Sequence, residues 1–384
     1  MRNFLLVFLI LQHFSMHNPI DRRYWLKQTA LAVAGLGIAP SLLAAVKQRT
    51  FISGNAILLN SNENAYGPSP MAKKAILDAY TNTNRYPDDP IELLKKKIAF
   101  HWKVKEENIL MGAGSSEIIG LACLHAAKQK GHIITAEPSY KVWNDQAAAF
   151  GLDFNRIALT ADRKTDLDKM IGSINSNTRM VYICNPNNPV GTHCTINSLS
   201  DFVQEAAKKT MVFIDEAYTE YAELDSLASL AVTNKNIIVA KTFSKIYGLA
   251  GARAGYSIAH PETKITFSSY QPWPDAAIST VTAAAAMASL DDHEFVKACR
   301  EKVAASRETC YAAFKDLSLE YIPSHTNFIL FNIDKIKGDF IKLMQERNIY
   351  VQFRQHFGGK WCRVSIGTTE EMIAFTKAMK EIMV

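Results

Sequence analysis

No internal repeat runs through the 384 residues, and nowhere do lysines and arginines gather in a long run interleaved with aromatics. The formal charge is only +6, so the composition points away from nucleic acid as a partner. Cysteine is sparse as well. Cys123, Cys184, Cys194, Cys299, Cys310 and Cys362 are scattered without the close pairing that a tetrahedral metal site needs, which predicts mostly buried thiols and no metal centre. The apolar run Phe4–Leu11 is too short to span a bilayer as a helix. With 48% apolar and 21% charged residues, neither a disordered chain nor a bundle of membrane helices is indicated. What is left is a globular protein with a large core and, at roughly 150 residues per domain, two domains.

A second apolar stretch, residues 29–45, follows Asp21-Arg-Arg-Tyr-Trp-Leu-Lys27. Two consecutive arginines, an aromatic pair and an alanine-rich segment ending near Leu43-Ala-Ala45 resemble a twin-arginine export signal. Asp21 departs from the serine or threonine usual there, and the residues before Met16 are superfluous to the pattern, which makes Met16 an alternative start. Residues 1–45 are therefore predicted to be a signal of this type, or else an amphipathic N-terminal helix or membrane anchor. The first reading places the protein in the periplasm or beyond, with the membrane met only through this segment. A non-functional signal leaves it cytoplasmic. Twin-arginine export carries folded proteins, as a chain that loads a cofactor beforehand requires.

From Leu58 to Pro70 the density of Asn, Gly and Pro rules out a regular helix, and residues 46–70 are expected to form an N-terminal arm. Helices are predicted over 71–80 and, from apolar and basic residues alternating at helical spacing, over 91–102. Ile109-Leu-Met-Gly-Ala-Gly-Ser-Ser116 then joins a short strand to a helix. Free N–H groups at that helix start, with Gly114 and the hydroxyls of Ser115 and Ser116, suit a phosphate, although simple serine capping gives the same pattern.

Four apolar strands are predicted over 132–136, 180–184, 211–215 and 237–240. Strands without a polar face, separated by helices, define an α/β fold whose mostly parallel sheet is covered on both sides. Ligands of such folds bind at the carboxyl ends of the strands. There stand Glu137-Pro-Ser-Tyr140, Asn185-Pro-Asn-Asn-Pro-Val-Gly191, Asp215-Glu-Ala-Tyr218 and Thr242-Phe-Ser-Lys245. Taken singly, Tyr140 reads as core, Asn188 as a turn former, Asp215 as a helix cap and Tyr218 as packing. Their convergence on one edge has no such explanation. Lys245 follows small hydroxyl residues and precedes a glycine-rich turn, with Arg253 eight positions on. A desolvated lysine amine attacks aldehydes, and Thr242, Ser244 and Arg253 suit a phosphate. The last third reads differently: a helix over 291–317, a strand over 327–331, a helix over 338–347, strands near 349–353 and 362–366, and a final helix from Thr369. This α+β pattern predicts a small domain over 286–384 beside a large one over 71–285.

Over about residues 55–384 these motifs, in this order, resemble the class I/II aminotransferases of the fold type I pyridoxal phosphate superfamily. Leu59-Asn-Ser-Asn-Glu-Asn-Ala-Tyr-Gly-Pro68, Arg85-Tyr-Pro-Asp88, Asn188-Pro-Val-Gly191 and Ser244-Lys245 with Arg253 are most similar to the histidinol-phosphate aminotransferase branch. The resemblance implies a seven-stranded, mostly parallel sheet in the large domain. It implies pyridoxal 5'-phosphate held as a Schiff base on Lys245, which then shuttles a proton at the substrate's α carbon. Asp215 would pair with the pyridine nitrogen, Tyr218 and Asn188 would bond the phenolic oxygen, and Tyr140 would stack on the ring. Gly114, Ser115, Ser116, Thr242, Ser244 and Arg253 would hold the phosphate, joined by Tyr86 from the partner subunit of a homodimer. Arg363 would grip the substrate α-carboxylate, with Asn188 beside it, and Tyr66 would face the distal end.

Two departures stand out. Ala65 replaces the family's proline, and Gln352 falls where the branch carries an arginine that helps bind the substrate's phosphate. Arg354 lies two residues on, on the same face of a strand, and is the candidate replacement. The implied activity is transfer of an amino group from an L-amino acid, histidinol-phosphate-like or aromatic, to a 2-oxo acid such as 2-oxoglutarate. A lyase of the same fold, similar to threonine-phosphate decarboxylase or a carbon-sulfur lyase, uses the same Lys245 and Asp215 and is the alternative.

Overall fold

The computed structural model describes residues 56–275 and 278–383; the predicted leader over 1–45 and the first part of the arm lie outside the described residues. In chain order the strands are β1 (Ile57–Leu58), β2 (Ile109–Gly112), β3 (His132–Glu137), β4 (Asp153–Ala158), β5 (Thr178–Cys184), β6 (Met211–Asp215), β7 (Ile237–Thr242), β8 (Gly255–Ala259), β9 (Tyr321–Ile322), β10 (Phe328–Asn332), β11 (Ile349–Tyr350), β12 (Gln352–His356) and β13 (Gly359–Ser365).

The large sheet has seven strands in the order β2-β8-β7-β6-β5-β3-β4. β7, β6, β5, β3 and β4 run parallel, while β8 is antiparallel to both of its neighbours. Its central strands are apolar throughout because both faces are covered. Val181, Ile183, Val212, Ile214 and Val239 pack into one core, whereas Met180, Tyr182, Phe213 and Ile238 pack into a second on the opposite face. All six cysteines are buried and free, as their scatter suggested. Two strands of this sheet had no signal in the sequence. β4 is an edge strand with mostly exposed or half-buried side chains, and β8 begins inside the glycine-rich segment that follows Lys245.

The smaller C-terminal domain is built on a four-stranded sheet, β12-β13-β10-β9, antiparallel throughout. The strand predicted over 349–353 is two strands. Ile349–Tyr350 pairs parallel with β1 of the arm, and after Val351 the chain turns to pair with β13 instead. The long helix predicted over 291–317 begins at His293, since Asp292 leaves helical geometry and caps it by accepting from Phe295 N at 3.2 Å. The helix before it, Thr280–Asp291, contains residue 285 and packs on the helices Pro70–Ala79 and Asp88–Trp102. Residues 338–347 form only the short helix Phe340–Gln345.

Candidate active site

The carboxyl ends of β5, β6 and β7 bring the polar residues together. Asp215, the last residue of β6, is buried, and its Oδ2 accepts from the Tyr182 hydroxyl at 3.0 Å while Oδ1 accepts from Ala217 N at 3.1 Å. Burial pushes its carboxyl up to about 6, against the pull of those two hydrogen bonds. Tyr182 is itself clamped by Trp143, whose ring stacks at 4.2 Å. Neither was visible as a site residue in the sequence, since each reads as ordinary core.

Around the Tyr218 hydroxyl a second network closes. It accepts from Asn188 Nδ2 at 3.2 Å and from Asn62 Nδ2 at 3.0 Å. Arg363, on β13, donates to Asn188 Oδ1 at 2.9 Å and to the Asn60 carbonyl at 3.2 Å. The network therefore joins the arm, the large sheet and the small sheet. Arg363 Nε is buried with no partner.

Lys245 faces this network. Its ammonium donates to the Asn62 carbonyl at 3.3 Å and lies 5.6 Å from the centroid of the Tyr218 ring. Burial, and after it the charge of Arg363, hold the amine down at about 8, while Asp215 acts the other way. A lysine of this kind is substantially neutral near pH 8 and thus nucleophilic. Tyr140 is half-buried close by, its hydroxyl pushed up to about 12 by burial first and by Asp215 second.

Hydroxyls and a guanidinium gather on the other side of Lys245. Thr242 donates to Ser244 Oγ at 3.0 Å. Arg253, in left-handed backbone geometry with φ 59°, donates to Ser116 Oγ at 2.8 Å and to the Ala113 carbonyl at 3.1 Å. Ser115 and Ser116 open the helix Ser115–Ala127, with Gly114 at its N-cap. Two glycines make this approach feasible. A Cβ on Gly114 would stand 2.5 Å from Arg253 Nη2, and one on Gly255, the β8 partner of Thr242, would stand 2.4 Å from Ser115 N.

Two predicted residues, Tyr86 and Tyr66, stand apart, while a third, Arg354, is joined to Arg363 through Gln352. Tyr86 is 74% exposed and tilts against Trp273 at 4.8 Å. Tyr66 packs beneath Lys302, whose ammonium is 4.6 Å from its ring, and its hydroxyl is buried without a partner. Arg354 donates to Gln352 Oε1 and to its neighbour's carbonyl, that of Phe353, at 2.9 Å. Gln352 Oε1 also accepts from Arg363.

The model of the aminotransferase class I and II family matches residues 54–378, so the chain belongs to that family. The histidinol-phosphate aminotransferase of Halalkalibacterium halodurans is similar to it, 32% identical over 332 residues that cover 85% of this chain and 89% of the relative. That of a Geobacillus species is 34% identical over 335 residues, covering 85% and 90%. Among solved structures, the histidinol-phosphate aminotransferase of Sinorhizobium meliloti in complex with pyridoxal 5'-phosphate superposes with a TM-score of 0.78 at 27% identity, over 85% of this chain and 90% of that one. The protein is a pyridoxal phosphate-dependent aminotransferase.

The residues present fit that cofactor. A buried carboxylate for the pyridinium, a lysine with a lowered pKa for the aldehyde, and a helix N-terminus with Arg253 and four hydroxyls for the phosphate form a complementary donor set.

Proposed function

We propose that the protein transfers an amino group from an L-amino acid, histidinol-phosphate-like or aromatic, to a 2-oxo acid such as 2-oxoglutarate, with Lys245 as the amine that bonds to the cofactor's aldehyde. The observation that carries this reading is the Lys245 amine itself, which donates to the Asn62 carbonyl, lies 5.6 Å from the centroid of the Tyr218 ring and is held down at about 8 by burial and by the charge of Arg363. When bound, pyridoxal phosphate supplies an electron sink for the charge that develops at the substrate's α carbon.

The chain's own groups then have separate tasks. Asp215 Oδ atoms take the pyridine nitrogen's proton as a hydrogen-bond partner and keep it in place. Tyr218 and Asn188 would hold the phenolic oxygen, and Tyr140 would pack on the ring. Gly114, Ser115, Ser116, Thr242, Ser244 and Arg253 bind the phosphate. Lys245 Nζ, the amine that would bond the aldehyde, would also move the proton at the substrate's α carbon. Arg363 takes the α-carboxylate in a planar, two-pronged contact, to which its unpartnered Nε contributes. Tyr66 borders the distal end of the substrate. Arg354 takes the anionic end of substrates that have one, in place of the arginine absent at Gln352. Two chains form a homodimer in which Tyr86 of each completes the phosphate site of the other.

The names of the relatives support a histidinol-phosphate-like donor. The test is a single half-reaction. Glutamate added to the purified yellow enzyme should bleach the visible band and leave pyridoxamine phosphate and 2-oxoglutarate, with no CO2 released. Release of CO2 without pyridoxamine makes the protein a lyase and overturns the proposal.

A further inference from the structure

A second lysine, four residues before Lys245, is buried more deeply and has no part in the chemistry above. Lys241 is 1% exposed. Its ammonium lies 3.2 Å from Glu216 Oε2 and 3.1 Å from Glu220 Oε1, donates to Thr219 Oγ1 at 2.8 Å, and sits 4.3 Å from the Trp102 ring centroid. Trp102 in turn donates to the Tyr256 hydroxyl at 2.7 Å, and the other oxygen of Glu216 accepts from Leu227 N at 2.9 Å. The cluster is saturated with hydrogen bonds.

Two features argue that it does more than hold the fold. A buried ion pair is poor value for stability, because desolvating the charges offsets their attraction and a well-packed apolar group does as well. Its members also border the site on both sides. Glu216 directly follows Asp215, Thr219 and Glu220 directly follow Tyr218, and Lys241 directly precedes Thr242. One ammonium thus ties the segment carrying Asp215 and Tyr218 to the segment carrying Thr242, Ser244 and Lys245. Two carboxylates against one ammonium also leave a negative charge there, and the charge of Glu216 is felt at Asp215.

We propose that Lys241 is a positioning residue for the aminotransfer reaction: bound between Glu216 and Glu220, it fixes the Asp215 segment against the Lys245 segment and balances the charge beneath them. This rests on the reading of Lys245 as the cofactor-bonding amine. The charged and titratable groups around the ammonium are Glu216, Glu220, His101, Tyr247 and Tyr256, and none of them is removed in the variants below except the one named.

The experiment is a pH titration of the visible cofactor band in the full-length holoenzyme, with kcat and KM for glutamate measured alongside. A pH-dependent band in the wild type that vanishes in Lys245→Ala establishes the underlying reading; a band that survives in Lys245→Ala overturns that reading and the inference with it. Lys241→Met leaves two unbalanced carboxylates, which favour the protonated form, so its midpoint should rise. Glu220→Gln leaves Glu216 alone on the ammonium, so its midpoint should fall. In both, kcat should drop about 10- to 100-fold, as a displaced reacting group predicts, with KM for glutamate changed little because Arg363 is held elsewhere. Lys241→Arg should restore the wild-type midpoint. Shifts of opposite sign support the proposal, since loosened packing would move both variants alike. Wild-type midpoints in both, or shifts in the same direction, overturn it. Should Lys241→Met fail to fold, the fall in Glu220→Gln and the rescue by Lys241→Arg decide the matter on the same terms.

Discussion

The side-chain oxygen of Gln352 accepts hydrogen bonds from Arg363 and Arg354 together, so one neutral amide holds two guanidinium groups side by side. Arg354 is held down to about 10, by burial first and by the charge of Arg363 second. An anion that reached Arg354 would relieve both. Replacement of Arg354 by alanine should therefore raise KM for phosphorylated or acidic donors about 10- to 100-fold, the worth of one charge-assisted hydrogen bond, and leave aromatic donors nearly unaffected. Steady-state kinetics over a donor panel check this; equal KM changes for every donor would remove Arg354 from the pocket.

Lys245→Ala removes the amine that donates to the Asn62 carbonyl and lies over the face of Tyr218. The variant should lose the yellow colour of the purified protein and its turnover, while keeping the fold. Absorbance spectra and circular dichroism measure the two halves. Unimpaired turnover would refute the central assignment.

Asp215→Asn should make the cofactor-free protein more stable near pH 7, not less. Burial raises the folded-state carboxyl from 3.8 to about 6. Its charge is thus a penalty that is fully present above the folded value and absent below the unfolded one. At about 1.4 kcal/mol per pH unit the difference amounts to roughly 1–3 kcal/mol. Denaturant titrations at pH 7.5 and pH 4 should show the variant's advantage at the first and little of it at the second. The same change should abolish aminotransfer, an exchange of stability for activity often found at reacting sites. A variant less stable than the wild type at pH 7.5 contradicts the sign.

The proposed homodimer gives Tyr86, 74% exposed against Trp273, a task across the subunit boundary. Sedimentation should find a dimer. Mixing Tyr86→Phe with Lys245→Ala chains should give hybrids whose sites differ in phosphate affinity, one combining both defects and the other neither. A monomeric active enzyme would end this reading.

Much of the site was legible because its members sit at strand ends, where an apolar run stops and a short polar motif begins. Asp215 closes Met-Val-Phe-Ile, and Lys245 follows Ile-Ile-Val-Ala-Lys-Thr by three residues. Asn62 was missed because it belongs to an irregular arm whose partners, Tyr218 and Ser365, are far along the chain. Tyr182 was missed for the opposite reason, as it lies in the middle of an apolar strand and only its hydroxyl matters. Lys241 directly follows the apolar run Ile237–Ala240 and received no reading of its own. Its two carboxylates come from a neighbouring strand's loop, and nothing in the order of residues foretells that pairing. The edge strand β4 escaped because its exposed side chains gave it no apolar run.

Asn62 donates its backbone N–H to Ser365 Oγ at 2.7 Å, and Ser365 Oγ donates to Asn62 Oδ1 at 3.1 Å, across a separation of 303 residues. The carbonyl that receives Lys245 is thus anchored by one of the last strands to be synthesised. Contacts so distant in sequence form slowly, and at roughly 5–20 residues per second the ribosome needs about 15 seconds or more between the two. A nascent chain therefore carries Lys245 before it carries the strand that anchors the carbonyl receiving it.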